Sequence, residues 1–200
     1  MILFYDTETT GLPDWRAPSD AKTQPHLVQL AMLLTDNAGK EKCCANLIVR
    51  PDGWQILPEN SAIHGITHET AEEFGISERI ATELFVAWGR DATFRVAHNI
   101  SFDDRLMRIA MLRAGYQRDQ IEAIEKRSAF CTMQNSTHVV NLPPTAKMVA
   151  AGFNKPKAPR LEECIKHFFD EDLAGAHDAI IDVRACARVY FHLKALVPAA

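Results

Sequence analysis

Asp6-Thr7-Glu8 closes an apolar run, Ile2-Leu3-Phe4-Tyr5, with two carboxylates two residues apart. Residues two apart on a strand point to the same face, so the two acids would stand side by side. Like charges so placed repel unless a cation lies between them; the competing reading is a polar strand end open to water. A second group is His98-Asn99-Ile100-Ser101-Phe102-Asp103, followed by Asp104. It falls where a short strand passes into a helix. An acid there complements the helix dipole, a role that suits Asp104, or serves a site, the role left to Asp103. The third group is His177-Asp178-Ala179-Ile180-Ile181-Asp182. Five residues of ideal helix turn by about 140°, so His177 and Asp182 address one point only if His177 lies in a loop. Leu173-Ala174-Gly175-Ala176 permits such a loop. Taken alone, this piece also reads as a helix start followed by a solvent-facing acid.

Together the three groups offer Asp6, Glu8, Asp103 and Asp182 with one histidine, His177, each at an element end. An all-oxygen carboxylate set suits Mg²⁺ or Mn²⁺ rather than zinc. Two such ions about 3.5–4 Å apart form the clamp used for in-line phosphoryl displacement. An imidazole, with an ordinary pKa of about 6.5, is the natural base for the attacking water. Zinc has weaker claims. His64 and His68 are four apart, but Gly65 breaks the helix they would share, and Cys164 with His167 reads as a core thiol beside a surface histidine. No G-x-x-x-x-G-K-[ST], G-x-G-x-x-G or G-x-S-x-G occurs, so NTPase, dinucleotide and α/β-hydrolase readings lack support.

The elements that must position these residues follow from periodicity. The run from residue 2 to 5 is apolar on both faces, as in a central strand. LVQLAMLLT (Leu27–Thr35) and CCANLIVR (43–50) are predicted strands joined by the turn Asp36-Asn37-Ala38-Gly39, giving an antiparallel meander. A helix over 77–88 carries Ile80, Leu84, Phe85 and Trp88 on one face. A short strand over 93–97 precedes a helix over 102–114 with Phe102, Leu106, Ile109 and Ala110 inward, Ser101 as N-cap and Gly115 as stop. Further helices are predicted over 146–151, 161–169 and 178–193. Strands followed by alternating helix and strand indicate a mixed α/β sheet. Two Pro-rich stretches interrupt the pattern, a long loop over 13–26 and a basic connector over 154–160. A loop of the first length inside a domain is usually functional or disordered.

DTETTGL, HNISFD and HDAIID, in that order, resemble the three exonuclease motifs of the DEDDh family of 3′–5′ exonucleases. That family includes the proofreading subunit of bacterial replicative polymerase and ribonuclease T. The likeness runs over nearly the whole chain and includes Ile63-His64-Gly65-Ile66-Thr67, and the closing H-x4-D marks the histidine branch. It implies a ribonuclease H-like fold, a mixed five-stranded sheet with helices on both faces, in one exonuclease domain over 1–200. It implies that Asp6, Glu8 and Asp182 hold a first metal, that Asp6 bridges to a second, and that Asp103 acts at the second through water. His177 would take the proton from the nucleophilic water. Thr9, Gly11 and Leu12 would contact the terminal nucleotide, with Leu12 wedged near its base, and His64, Asn99 and Phe102 would line the same pocket. The implied reaction is hydrolysis of single-stranded DNA from the 3′ end to nucleoside 5′-monophosphates by two Mg²⁺ or Mn²⁺ ions. The alternative is an exoribonuclease trimming RNA ends with the same site. A binding module with a decayed centre would have lost a ligand, and all five positions are filled. The sequence departs most from shorter members over 13–26 and 155–160.

Two hundred residues, 47% of them hydrophobic and 24% charged, suit one globular domain. Five cysteines without a C-x-x-C pair fit reduced thiols in a cytoplasmic protein. No run approaches the ~18 apolar residues of a membrane span. Residues 196–200 (LVPAA) show no evident polymerase-binding tail, so a free-standing enzyme, or one supplied in trans to a DNA polymerase, is expected. The net charge of −4 conceals a contrast: 126–160 contains six bases, Lys126, Arg127, Lys147, Lys155, Lys157 and Arg160, and no acid. This stretch is expected to face the phosphates of the entering strand, beside a centre whose acids hold metal.

Overall fold

The first strand, β1 (Ile2–Thr9), is the middle of a five-stranded sheet ordered β3-β2-β1-β4-β5. Residues 1–196 are described in this computed structural model, and the remainder of the C-terminal run, 197–200, lies outside the described residues. β2 (Leu27–Thr35) pairs antiparallel with β1 and β3 (Glu41–Ile48) antiparallel with β2, while β4 (Phe94–Ala97) and β5 (Ala129–Cys131) lie parallel to β1 on its other side. The sheet is therefore mixed, with the expected meander at one edge. β2 is buried along its whole length, which accounts for its unbroken apolar run.

The pleat of β1 divides the interior in two. Leu3 and Tyr5 point into a cluster with Phe85, Leu106 and Ile109, from helices α3 (Glu78–Asp91) and α4 (Ile100–Arg113). Ile2 and Phe4 point into a second cluster with Val183, Val189 and Tyr190 of α9 (Ala179–Leu196) and Ile165 of α8 (Leu161–Phe169). The rings of Phe4 and Tyr190 meet edge-on at 5.4 Å. Helices thus cover both faces.

Four short helices escape the sequence periodicity: α1 (Pro58–His64), α2 (His68–Phe74), α5 (Arg118–Glu125) and α6 (Thr132–Val140). β5 is only three residues long, below the length at which alternation is readable. α7 (Ala146–Ala150) falls where it is predicted. Other expectations need correction. The second hairpin strand ends at Ile48 rather than 50; Val49 still donates to the Val28 carbonyl of β2 at 2.8 Å but bridges Ile76 on its other side. α3 buries Ala81, Thr82, Phe85 and Val86, so its inward face is rotated from the predicted one and Ile80 is 55% exposed. α4 begins after Asn99, not Ser101; Asn99 sits at φ 66°, and the Ser101 hydroxyl donates to its side-chain oxygen. His64 ends α1 while His68 opens α2, with Gly65 between them in the left-handed region, so the two histidines share no helix face.

The loop over 13–26 is tied down rather than loose. Arg105 on α4 donates to the Ser19 hydroxyl at 2.6 Å and to the carbonyls of Ala17 (2.6 Å) and Asp14 (3.1 Å). Arg113, two turns on, donates to the carbonyls of Pro25 and Gln24. The buried Gln24 amide bonds the Asp14 N–H and the carbonyls of Asp14 and Pro18.

Candidate active site

Asp6 and Glu8 follow Ile2 and Phe4 on the α9 face of β1, as the two-residue period requires. Opposite them α9 begins, and its first turn carries Asp182. His177 lies in the preceding loop with φ 69°. A non-glycine residue in that left-handed conformation costs of the order of 1–2 kcal/mol. The bend turns the His177 backbone N–H onto Asp182 Oδ2 at 3.0 Å. Glu8, His177 and Asp182 then offer ligand atoms that all lie within 4.8 Å of one another. Gly175 (φ +77°) makes room for this loop, since a Cβ there would meet Ile181 Cδ1 at 2.5 Å.

Thr7 points to the other side of β1 and reaches α4, where its hydroxyl donates to Asp103 Oδ1 at 2.9 Å. Asp103 is 2% exposed. The site therefore gathers acids from both faces of one strand. Asp6, Asn99, His177 and Asp182 line a cavity of about 280 Å³, which Met133 and Arg160 also border. Thr9 and Gly11 bond each other just past the strand, the hydroxyl donating to the Gly11 carbonyl at 2.7 Å. Leu12 is 85% exposed. His64 and Phe102 do not border that cavity. His64 Nδ1 accepts the Ile66 N–H at 3.2 Å, which leaves the proton on Nε2, a buried atom with no partner.

The electrostatics are those of crowded, part-desolvated acids. Burial, then the charges of Asp6, Asp182 and Asp178, pushes Glu8 up to about 9. Burial lifts Asp182 to about 6, partly offset by the His177 N–H and ring. Burial raises Asp6 with help from Asp182, and raises Asp103 with help from Asp6. One oxygen of Asp182, Oδ1, is buried without a hydrogen-bond partner. An orphaned carboxylate oxygen among acids that resist ionisation is what a divalent cation would satisfy, and the oxygen-rich donor set fits a hard ion.

Several contributors were not singled out from sequence. Gln29, paired in register with Glu8, accepts the Ala179 N–H at 3.1 Å and donates to Asp178 at 3.0 Å, pinning the start of α9. Its one signal was an amide inside an otherwise apolar strand. Burial lowers the His98 pKa from its ordinary value; its Nε2 donates to the Pro159 carbonyl at 3.1 Å and its Nδ1 meets Thr132 at 2.9 Å, tying the connector over 154–160 to the end of β4. Asp104 does not serve the helix dipole as expected. Its carboxylate accepts from Tyr5 and from Arg95, a residue only 1% exposed.

The profile of the exonuclease family matches residues 3–190. This chain belongs to the exonuclease family. Its three motifs make it a DEDDh-type member, among the 3′–5′ exonucleases. Among curated protein sequences, none matches it. Solved exonuclease structures share its fold. Exonuclease I of Methylocaldum szegediense is 24% identical with a TM-score of 0.75. Escherichia coli exonuclease I is 21% identical (TM-score 0.75) in a zinc-ion-bound complex with single-stranded DNA, and 22% identical (TM-score 0.74) in complex with a dA16 oligonucleotide. Each comparison covers 98% of this exonuclease chain but 41% of the other, so the chain spans about two fifths of those proteins. The shared fold is the ribonuclease H-like one.

Proposed function

We propose that this exonuclease-family chain hydrolyses single-stranded DNA from the 3′ end, releasing nucleoside 5′-monophosphates, with residues 1–200 as one catalytic domain. The observation that carries this reading is the convergence of Glu8, His177 and Asp182 within 4.8 Å, with Asp6 beside them and Asp103 reaching in from the other face of β1. Asp6, Glu8 and Asp182 would hold one Mg²⁺ or Mn²⁺, with Asp6 shared toward a second ion near Asp103. When bound, such ions acidify a water and offset charge on the phosphate oxygens.

The chain's own groups do the rest. The His177 ring takes the proton of the attacking water as the water oxygen bonds to phosphorus and the bond to the 3′ oxygen breaks. Its backbone N–H, on Asp182 Oδ2, orients that carboxylate, and the Thr7 hydroxyl does the same for Asp103. Leu12, exposed beside the Thr9–Gly11 turn, offers an apolar surface for an unpaired terminal base, and the buried Nε2–H of His64 is a free donor. Thr9, Gly11, Asn99 and Phe102 complete the reading of the terminal pocket. DNA is favoured over RNA because the two Escherichia coli structures described above are complexes with single-stranded DNA and with a dA16 oligonucleotide. Five free cysteines suit a reducing, cytoplasmic setting, and no described helix is long and apolar enough to cross a membrane. A DNA polymerase acting with the enzyme in trans remains part of this proposal.

The test is digestion of 3′-end-distinguishable single-stranded DNA, matched duplex, mismatched duplex and RNA of one sequence. Shortening from the 3′ end of single-stranded DNA is expected with Mg²⁺ or Mn²⁺ and none in EDTA. Asp6→Ala should be inactive. His177→Asn, which tolerates the left-handed backbone, should lose about 10²–10⁴-fold in kcat while still binding the strand. Full activity in chelator, or in His177→Asn, would overturn the mechanism.

A further inference from the structure

Trp15 is 60% exposed, yet it sits on a loop held by the hydrogen bonds of Arg105, Arg113 and Gln24. A large indole left in water on a fixed loop is an uncommon use of a residue whose burial is worth several kcal/mol. The same Arg105 that locks the loop places its guanidinium over the Trp15 ring, 5.8 Å from the centroid. The indole is thus held by a cation on one side while most of its surface stays open. Its neighbour Arg16 is exposed, and Leu12, three residues earlier, is 85% exposed. Leu12 and Trp15, three residues apart, lie within about 10 Å of each other, on the chain that leaves the end of β1 three to six residues past Thr9. Aromatic, cation and apolar surface therefore lie together on the segment that continues from the strand carrying Asp6 and Glu8.

We propose that Trp15 is a stacking shelf for a nucleobase of the single strand upstream of the scissile phosphodiester, with Arg105 holding the ring in place. This inference rests on the function proposed above and adds a second point of attachment for the strand. Stacking accepts any base and suits an unpaired strand, whereas a paired base keeps its faces against its own neighbours. A preset shelf also avoids the ordering cost that a mobile loop would impose on binding.

The test uses the full chain in EDTA, where the strand is not consumed. Oligo-dT of two and of eight nucleotides is titrated against wild type, Trp15→Phe and Trp15→Ala, reading tryptophan emission and affinity. Hydrolysis of the p-nitrophenyl ester of thymidine 5′-monophosphate with Mn²⁺ reports the chemistry without an upstream base. Expected are quenching of wild-type emission by the eight-mer, about ten-fold weaker eight-mer binding by Trp15→Ala, near-normal binding by Trp15→Phe, and unchanged ester hydrolysis in both. Unchanged eight-mer affinity in Trp15→Ala would overturn the shelf, as would an equal loss of ester hydrolysis, which marks a structural role. Failure of the wild type, supplied with Mn²⁺, to cleave either the eight-mer or the ester would instead remove the parent reading.

Discussion

At the scale of single residues, the site is a place where carboxylates are kept from ionising freely. Burial, reinforced by neighbouring acids, pushes Glu8 up to about 9 and raises Asp6, and burial, partly offset by His177, lifts Asp182 to about 6. A group whose pKa is raised by folding adds stability while it is protonated in both states. That stability is whole below the unfolded value near 4 and is lost as pH climbs through the folded values. The metal-free protein is therefore expected to melt at progressively lower temperature between pH 5 and pH 9, and Glu8→Gln should flatten the slope. Mn²⁺ should raise the melting temperature more at pH 8 than at pH 5, because protons compete for the same oxygens. Calorimetric scans at both pH values check this; a metal effect independent of pH would place the ion elsewhere. Much of this scale was legible in sequence, since Asp6, Glu8, Asp103, His177 and Asp182 stand at element ends in a recognisable order. Asp182 and His177 share one point for the reason the spacing suggests, a loop histidine ahead of the first helical turn. Arg95, Gln29 and Thr7 were not legible, because a polar residue inside a strand pattern does not reveal which distant group it meets.

At the scale of elements, the placement of α4 decides where Asp103 points. Arg95 on β4 joins Asp104 of α4 to the Tyr5 hydroxyl of β1, with the Tyr5 phenol pushed well above its usual range by burial and by Asp104. Arg95 also donates to the Glu125 carbonyl at the end of α5. Breaking a buried pair by removing one partner strands the other, a loss of about 3–5 kcal/mol. Arg95→Met should therefore lower the urea midpoint of unfolding sharply and reduce kcat as α4 shifts, while a double Arg95→Met, Asp104→Leu variant should regain stability. If the single variant were as stable and active as wild type, the clamp would not be what sets α4. The short helices and β5 were illegible at this scale because each is a turn or two, too brief for periodicity to show. The altered face of α3 has a different cause, in that Ala81 and Thr82 pack more closely than the larger Ile80 and leave it in solvent.

At the scale of the whole molecule, the basic stretch over 126–160 is less uniform than its composition. Lys126 is paired with Glu122 at 2.7 Å and Lys157 with Glu163 at 2.5 Å, acids that flank the stretch in sequence. Arg160 borders the cavity, and no ion pair forms to Lys147 or Lys155 among the described residues. Binding of single-stranded DNA should weaken linearly in log–log form with salt, and Lys147→Gln with Lys155→Gln should reduce the slope by about 1.4, near 0.7 for each phosphate left without its cation. Lys157→Gln should leave the slope in place. Equal slopes for all variants would put the strand on another face.

The sheet's two-sided interior has a mechanical meaning. β1 sends alternate residues into opposite layers, and the acids it gathers come from helices rooted in each. An ångström of slippage by either layer, far short of melting, would shift Asp103 or Asp182 relative to Asp6, which interacts with both, and misplacement on that scale is enough to cost about a hundred-fold in rate. The centre works as a vernier between two separately packed halves. Substitutions deep in either half, distant from any nucleotide, reach the chemistry through that strand.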